Sequence, residues 1–172
     1  MMQTSAEIAP APTAARDIDG AVFRKVLGNV PTSVSIVAGA DADGPFGMVI
    51  GSLVSISLAP PLVGLFIDNK SRTLPRLLAC DEICINVLGA EHAQFCHDFG
   101  REKDRRFQCG RWRQDGGAPQ FDLALAWVSG RIERSIVIGD HHLIVVDVRD
   151  LNENPVSVET NPLIFFRGAF AA

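Results

Sequence analysis

The chain has 172 residues, of which 47% are hydrophobic, and a formal net charge of -4. This length and composition favour one domain with a sizeable core, and the absence of a basic excess argues against nucleic acid as a partner. No apolar run reaches the roughly 18 residues of a membrane-spanning helix, and the N-terminus lacks the basic start and apolar core of a secretory signal. We therefore expect a cytoplasmic protein whose four cysteines are reduced thiols.

The N-terminal part of the chain predicts a tail followed by one packing helix. Residues 1–16 are rich in Ala, Pro and Thr and have no period, which is typical of a disordered tail, so one domain is expected over residues 17–172. Asp17 is the predicted N-cap of a helix over residues 18–27, and Gly28 is expected to end it. Apolar residues at helical spacing give this helix a predicted buried stripe, made of Ile18, Ala21, Val22 and Val26.

The segment from Gly47 to Asp68 predicts a long strand, a stiff Pro-Pro corner and a second strand. One face of the long strand is apolar at period two, interrupted by Ser52, and carries Met48, Ile50, Val54, Ile56 and Leu58. The other face carries mostly small residues, namely Val49, Gly51, Leu53, Ser55 and Ser57. Because small side chains leave room above the backbone, a flat ligand could lie against this second face.

A proline and two hydroxyls precede the first predicted strand. Pro31 fixes the direction of the chain, and Thr32 and Ser33 offer hydroxyl groups where the strand begins. Taken alone, this motif is also what an ordinary turn before a strand requires.

A second group of polar residues, 70–73, precedes a short helix that Thr73 is expected to cap, with Pro75 in the first turn. Lys70, Arg72 and two hydroxyls lie beside the free N–H groups of that helix start, an arrangement that attracts anions. An ordinary capped helix with solvated cations explains the same residues equally well, and no Gly-rich phosphate loop decides between the two interpretations.

A predicted helix over residues 90–99 places His92 and Cys96 on one face. The two side chains could ligate a metal, but no pair of cysteines has the Cys-x-x-Cys spacing of a structural zinc site. Packing is the better interpretation, and we expect no metal. Phe107 and Trp112 are expected to anchor the charged segment that follows this helix.

The remaining segments complete a chain rich in strands. A strand over residues 83–88 carries Asn86 among apolar residues. Gly139-Asp140-His141 separates two apolar runs, which is typical of a turn, a bulge or a functional corner in which the carboxylate orients an imidazole. About seven mostly adjacent strands with three short helices favour an antiparallel barrel, with helices over its openings, over a doubly wound sheet.

Taken together, these motifs resemble the flavin reductase-like family, which comprises the short reductase components of two-component flavin-dependent monooxygenases and their relatives. The resemblance covers residues 23–168, and its motifs are weak singly but fairly specific in this order. They are Val30-Pro31-Thr32-Ser33-Val34, Gly44-Pro45-Phe46-Gly47-Met48 through Ser52 to Pro60-Pro61-Leu62-Val63, Lys70-Ser71-Arg72-Thr73, Asn86-Val87-Leu88, Arg106-Phe107, Gly139-Asp140-His141 and Leu163-Ile164-Phe165-Phe166-Arg167-Gly168.

The resemblance implies a mainly β protein with short helices, a split β-barrel of Greek-key-like type that binds flavin near the interface of a homodimer. It implies reduction of FMN or FAD by NADH or NADPH and transfer of reduced flavin to a partner monooxygenase. The residues implied to contact the flavin ring are Pro31, Thr32, Ser33, Val49, Ile50, Gly51 and Ser52. The residues implied to receive the phosphate are Lys70, Ser71, Arg72 and Thr73. Asn86, Arg106, Phe107, Gly139 and Asp140 complete the implied cofactor site, and His141 is implied to position nicotinamide.

Hydride transfer between nicotinamide and flavin requires orientation and exclusion of water, and it needs no nucleophile or general base.

The chain departs from the common family pattern at Val49, Gly51 and Ala59, where many relatives carry Thr, Asn and Asp. Two alternatives on the same barrel therefore stay open: a non-catalytic flavin-binding or carrier protein, and a flavin-dependent oxidase or oxygenase. A structural barrel that binds no flavin is the last alternative.

Overall fold

The computed structural model of the chain describes residues 17–102, 105–114, 117–155 and 160–171. The predicted N-terminal tail, residues 1–16, lies outside the described residues. In chain order the elements are α1 (Gly20–Leu27), β1 (Thr32–Ser33), β2 (Ser35–Asp41), β3 (Gly44–Ile50), β4 (Val54–Leu58), β5 (Pro61–Asp68), α2 (Leu74–Ala79), β6 (Ile83–Val87), a 3₁₀ turn (Ala90–His92), α3 (Ala93–Arg101), a second 3₁₀ turn (Arg106–Gln108), β7 (Trp112–Arg113), β8 (Gln120–Phe121), β9 (Ala126–Ile138), β10 (His141–Glu153), β11 (Ile164–Phe166) and β12 (Ala169–Ala171).

Seven antiparallel strands form the main sheet, in the order β3-β2-β6-β9-β10-β5-β4. Three pairs of neighbours, β2–β3, β4–β5 and β9–β10, are consecutive in the chain, and in the β2–β3 hairpin Asp41 lies opposite Gly44. The predicted mainly β architecture with adjacent strands is therefore confirmed. In the part of the chain that the structure describes, no hydrogen-bonded ladder joins β3 to β4, so the sheet is open and has two edges.

The predicted single long strand from Gly47 onwards is wrong, because the chain leaves the sheet at residues 51–53 and re-enters it at the opposite edge as β4. Four residue steps separate Ile50 from Val54, so the two edges come within roughly 14 Å of each other there. Ser52 serves this crossing: its hydroxyl accepts a hydrogen bond from Phe66 N at 2.9 Å and donates one to Phe66 O at 3.1 Å.

The corner after β4 has the predicted form. A turn with a cis Ala59–Pro60 bond separates β4 from β5, which begins at Pro61. The predicted alternation is also confirmed in β3, since Met48 and Ile50 pack with one core cluster and Val49 packs with another. It fails in β4, where Leu58 is 91% exposed.

Two core clusters lie on the two faces of the sheet. One cluster is mostly aliphatic and includes Val37, Leu65 and Ile85, with Phe46 as its aromatic member. The other lies beneath α3 and is rich in aromatic rings, with Phe107 stacked on Phe121 at 5.5 Å between centroids. The predicted anchoring role of Phe107 and Trp112 is confirmed, because their rings contact each other at 5.4 Å and both pack against this cluster.

The predicted buried stripe of α1 is wrong within this chain. The helix begins two residues later than expected, because Asp19 rather than Asp17 accepts hydrogen bonds from the first N–H groups, and Gly28 caps its end as predicted. No residue of α1 is buried, and Val22 and Val26 are 56% and 57% exposed. The apolar face of α1 therefore has no cover from the described part of its own chain.

The other helices are short. Helix α2 begins after Thr73, as predicted, whereas the predicted helix over residues 90–99 is a 3₁₀ turn followed by α3. Cys96 is buried in the core, and His92 Nδ1 accepts a hydrogen bond from Gly89 N at 3.1 Å. Across the described ranges, no three side chains are grouped to hold a metal, and no helix is long and apolar enough to cross a membrane.

Candidate active site

A cavity of about 870 Å³ opens between β3, residues 70–73 and the 3₁₀ turn of residues 106–108. This volume lies within the range of small-molecule and cofactor sites. Five cationic side chains line it, and none of the described lining residues is acidic. The cations are Lys70, Arg72, Arg76, Arg105 and Arg106. The cavity is therefore suited to an anionic ligand.

The loop of residues 70–73 is held in place by its own polar groups. Asp68 accepts hydrogen bonds from Lys70 N at 2.7 Å, through its side chain, and from Ser71 N at 2.9 Å, through its carbonyl. Ser71 Oγ accepts from Thr73 N at 3.3 Å and contacts Met48 Sδ at 3.6 Å. The loop is thus fixed against the middle of β3.

The predicted cap of α2 is only partly observed. Thr73 is the N-cap residue, but its side chain makes no capping hydrogen bond, and the Ser71 hydroxyl bonds the Thr73 N–H group instead. Because α2 has only six residues, we attribute the attraction for anions to the side chains of the loop, and the hydroxyl of Thr73 stays available to a ligand.

Arg106 is a fixed cation in the cavity wall. Its guanidinium donates to Phe99 O and Gly47 O at 2.8 Å each and to Gly100 O at 3.4 Å. Burial first, and the nearby charge of Arg72 second, lower the pKa of Arg106. Among the described residues its partners are carbonyl groups and no carboxylate, so an anion bound between Arg72 and Arg106 would relieve the repulsion between them.

Arg76 lies on α2 at the other end of the cavity. Its Nε and Nη2 atoms donate to the two carboxylate oxygens of Asp41 at 2.7 and 2.6 Å, and Nη2 also donates to Gly44 O at 3.2 Å. The guanidinium carbon lies 4.1 Å from the centre of the Phe46 ring. The hydrogen bond from Arg76 holds the pKa of Asp41 below its usual value. The paired carboxylate and the ring fix the orientation of the guanidinium.

The residues implied to contact the flavin ring lie past the cavity, where β3 ends. Thr32 contacts Gly51 closely, since a Cβ atom on Gly51 would lie 3.0 Å from Thr32 Oγ1. Pro31 and Ser33 are exposed beside them. The structure therefore brings the motif Val30-Pro31-Thr32-Ser33-Val34, here called the first motif, to the end of β3.

Three other implied ring residues have their side chains occupied elsewhere. Ile50 is buried in the aliphatic core cluster, and Val49 packs against the aromatic one. The hydroxyl of Ser52 bonds the backbone of Phe66. These residues can offer a ligand mainly backbone atoms, and β3 has a free outer edge on which such atoms are available.

The Gly139-Asp140-His141 corner is the turn between β9 and β10, with Gly139 at a φ of 62°. His141 Nδ1 lies 2.7 Å from Asp140 Oδ1, and this hydrogen bond, followed by the imidazole charge, lowers the pKa of Asp140. Asn69 ties the corner to the loop of residues 70–73, because its N–H group donates to Asp140 O at 2.9 Å. His141 is therefore held next to the loop of residues 70–73, here called the cationic loop, although it does not line the cavity itself.

Asn86 lies away from the cavity. It is fully buried, accepts a hydrogen bond from Phe121 N at 2.7 Å, and donates to Ile36 O at 3.3 Å and Pro119 O at 3.2 Å. Because its amide atoms bond backbone groups of β2 and of residues 119–121, the structure assigns Asn86 to the core and does not bring it to the site.

Several cavity residues are absent from the set proposed on sequence grounds, namely Pro45, Phe46, Arg76, Arg105, Gln108 and Trp112. A sequence signal existed for Arg76, since it follows Thr73 by three residues and so lies on the same face of α2. No local signal existed for Phe46, because its contact with Arg76 depends on the β2–β3 hairpin.

Comparison with known proteins agrees with this geometry. The model of the flavin reductase like domain matches residues 27–172. The chain is 34% identical over 155 residues to a flavin reductase of Pseudomonas putida, with 89% of each chain covered. It is 32% identical to the reductase subunit of a flavin-dependent monooxygenase of Mycobacterium tuberculosis, covering 89% of this chain and 82% of the relative. Among solved structures, a Streptomyces globisporus NADH:FAD oxidoreductase in complex with NAD and FAD fragments matches with a TM-score of 0.81 and 28% identity, covering 90% of this chain and 92% of that one.

Proposed function

The chain belongs to the flavin reductase-like family, and from that premise we propose that it reduces FMN or FAD with NADH or NADPH and supplies the reduced flavin to a partner monooxygenase. The observation that carries the proposal is the cavity lined by five cations and, among described residues, by no carboxylate. Its volume and charge fit a flavin nucleotide, whose phosphate is anionic and whose ring is flat and largely apolar.

The phosphate is held by the loop of residues 70–73 in this proposal. Lys70 and Arg72 neutralise its charge, and the hydroxyl groups of Ser71 and Thr73 donate hydrogen bonds to its oxygens. Arg106 adds a positive potential from the wall, and its three carbonyl partners keep it in position. Phe107, stacked on the aromatic core, forms an apolar side of the same site.

The ring lies at the end of β3, over Thr32, Ser33 and Gly51. A bound flavin supplies the ring that accepts a hydride from nicotinamide. The protein provides backbone groups of the free β3 edge and hydroxyls of the first motif, which orient the ring.

His141 positions nicotinamide. With its pKa lowered, Asp140 is ionised at neutral pH and can only accept a hydrogen bond, so Nδ1 of His141 carries the hydrogen. Nε2 is then the ring nitrogen left to bond the carboxamide group of nicotinamide. His142 is bonded to Ser135 at 2.7 Å and takes no part.

A homodimer with the split-barrel architecture of the family completes the proposal. The uncovered apolar face of α1 and the exposed stretch Ile136–Ile138 of β9 support it, because such surfaces usually lie in interfaces. Mass measurement by light scattering should give twice the chain mass, and a monomer at every concentration would contradict it. We place the protein in the cytoplasm, where its four free thiols stay reduced.

The test is anaerobic reduction. The purified protein is mixed without oxygen with each of the four pairs of NADH or NADPH with FMN or FAD, and loss of the yellow flavin absorbance is followed. We expect bleaching with at least one pair. Flavin binding without bleaching by any pair would contradict the reductase and select the carrier. Tightly retained flavin with oxygen uptake dependent on an organic substrate would select the oxidase or oxygenase.

A further inference from the structure

We propose that Arg76 is a specificity residue that makes this enzyme prefer FAD to FMN, by contacting the adenylate half of FAD. The inference rests on the proposed function, since it assigns the part of the same cavity that lies beyond the flavin phosphate. Neither Arg76 nor its partner Asp41 belongs to the motifs that identify the family in this chain, whereas Phe46 lies in the motif Gly44-Pro45-Phe46-Gly47-Met48.

The parts of the proposed flavin site lie in order along β3. Gly51 follows the end of this strand beside Thr32, where the ring is placed. Met48 contacts Ser71 of the phosphate loop. The guanidinium carbon of Arg76 lies 4.1 Å from the centre of the Phe46 ring. Strand residues rise by about 3.3 Å each, so the Arg76 end lies roughly 7 Å beyond the phosphate, on the side away from the ring. FMN ends at its phosphate, whereas FAD continues with a second phosphate and adenosine.

The charge of the cavity agrees with this extension. One phosphate monoester is matched by Lys70 and Arg72, yet Arg76, Arg105 and Arg106 also line the space. A pyrophosphate with an adenosine places further anionic oxygens among these extra cations. The aromatic rings of Phe46 and Trp112, which line the same space, offer apolar surface to a purine.

The geometry of Arg76 fits recognition better than a structural ion pair alone. Asp41 engages Nε and Nη2, and Nη1 takes part in none of these hydrogen bonds. Arg76 lines the cavity and Asp41 does not, so a ligand meets the guanidinium and not the carboxylate. A guanidinium fixed by a carboxylate and a ring loses little freedom when it binds, which favours affinity.

NADH and NADPH also contain an adenosine, but the position of Arg76 favours contact with the adenosine of FAD. The His141 corner, where nicotinamide is placed, is tied to Asn69 at the start of the cationic loop. Arg76 follows the other end of that loop, on α2. The two positions flank the phosphate loop from opposite ends, and the Arg76 end continues the flavin path along β3.

The test compares binding of FAD, FMN and ADP to the wild type and to Arg76→Ala by titration of flavin fluorescence and, for ADP, calorimetry. Arg149→Ala is a matched control, because Arg149 also pairs with an aspartate, Asp147, and lies outside the cavity. We expect the wild type to bind FAD about tenfold or more tightly than FMN, and Arg76→Ala to weaken FAD and ADP about tenfold while FMN changes less than about twofold. The control should change none of these affinities.

Arg76→Lys, which keeps the charge but not the planar fork, should lose most of the FAD preference and guards against misfolding of the alanine variant. Equal affinity of the wild type for FMN and FAD, or equal weakening of both by Arg76→Ala, overturns the inference. A rise confined to the KM for NADH or NADPH overturns it too, since Arg76 would then serve the reductant. Failure of the wild type to reduce any flavin overturns the proposed function instead, and the binding ratio still tests Arg76.

Discussion

At the scale of single residues, Asn86 shows that a residue of a family motif need not contact the ligand. The sequence places a polar amide in an apolar strand, which indicates a special role but not which one. In the structure this amide bonds the backbone of two other segments in the core, β2 and residues 119–121. Burial of this kind depends on strands and loops distant in sequence, so it could not be inferred from the motif.

Asn86→Ala should therefore act on stability. It removes the hydrogen bonds that the Asn86 side chain makes to buried backbone groups of Ile36, Pro119 and Phe121, and we expect a loss of about 2–4 kcal/mol in the free energy of unfolding, measured by urea denaturation. The exposed Asn152→Ala is the control and should stay within about 0.5 kcal/mol. Flavin affinity of the folded variant should be unchanged, and a selective loss of flavin binding at normal stability would show a ligand contact.

His92 should make stability fall in mild acid. Burial lowers its pKa below the ordinary 6.5, so the unfolded chain takes up the proton first and stability is lost as the pH falls below about that value. Protonation also removes the acceptor for the N–H group of Gly89. Thermal unfolding of the wild type and His92→Asn between about pH 7.5 and 5.5 should give curves that converge or cross in acid. Parallel curves would contradict this linkage.

His141→Ala should separate use of the reductant from binding of flavin. Because the imidazole is held by Asp140 at the nicotinamide side, we expect the KM for NADH or NADPH to rise about tenfold while the Kd for flavin stays within about twofold. His142→Ala, next in the chain and bonded to Ser135, is the control and should change neither. Equal losses of nicotinamide use and flavin binding would refute the positioning role.

At the scale of elements, local signals predict local structure well and long-range structure poorly. The bounds of α2 follow from Thr73 and Pro75, which act within one turn. The break after Ile50 does not follow from the sequence, because it depends on β3 and β4 lying at opposite edges of one sheet. Apolar alternation continues across that break, so periodicity alone predicts one strand.

Helix α1 shows the same difference between a pattern and its environment. Its apolar stripe predicts burial, and the described part of the chain leaves that stripe exposed. If a second copy covers it, the double variant Val22→Glu/Val26→Glu should lower the dimer fraction strongly, because two charges would enter an apolar contact. Arg24→Glu, on the polar side, is the control. Light scattering measures the outcome, and an undiminished dimer would exclude α1 from the interface.

At the scale of the whole molecule, the main sheet brings three motifs that are distant in sequence to positions along one strand, β3. The first motif contacts Gly51 at the end of β3, and the cationic loop contacts the middle of β3. The β2–β3 hairpin contacts α2 near the start of β3. The motifs and their order were predictable from the sequence through family resemblance. Arg105 was not, because the fold alone brings it to the cavity, and Arg76 was indicated only by its helical spacing from Thr73.

The central claim is that flavin is held in the cationic cavity for reduction by NADH or NADPH. Its most direct test is the flavin-concentration dependence of anaerobic bleaching by the wild type, Arg72→Ala and the control Arg149→Ala. We predict bleaching by the wild type and the control, and an approximately tenfold higher flavin KM for Arg72→Ala with kcat nearly retained. No bleaching by the wild type, or an unchanged flavin KM in Arg72→Ala, would contradict it.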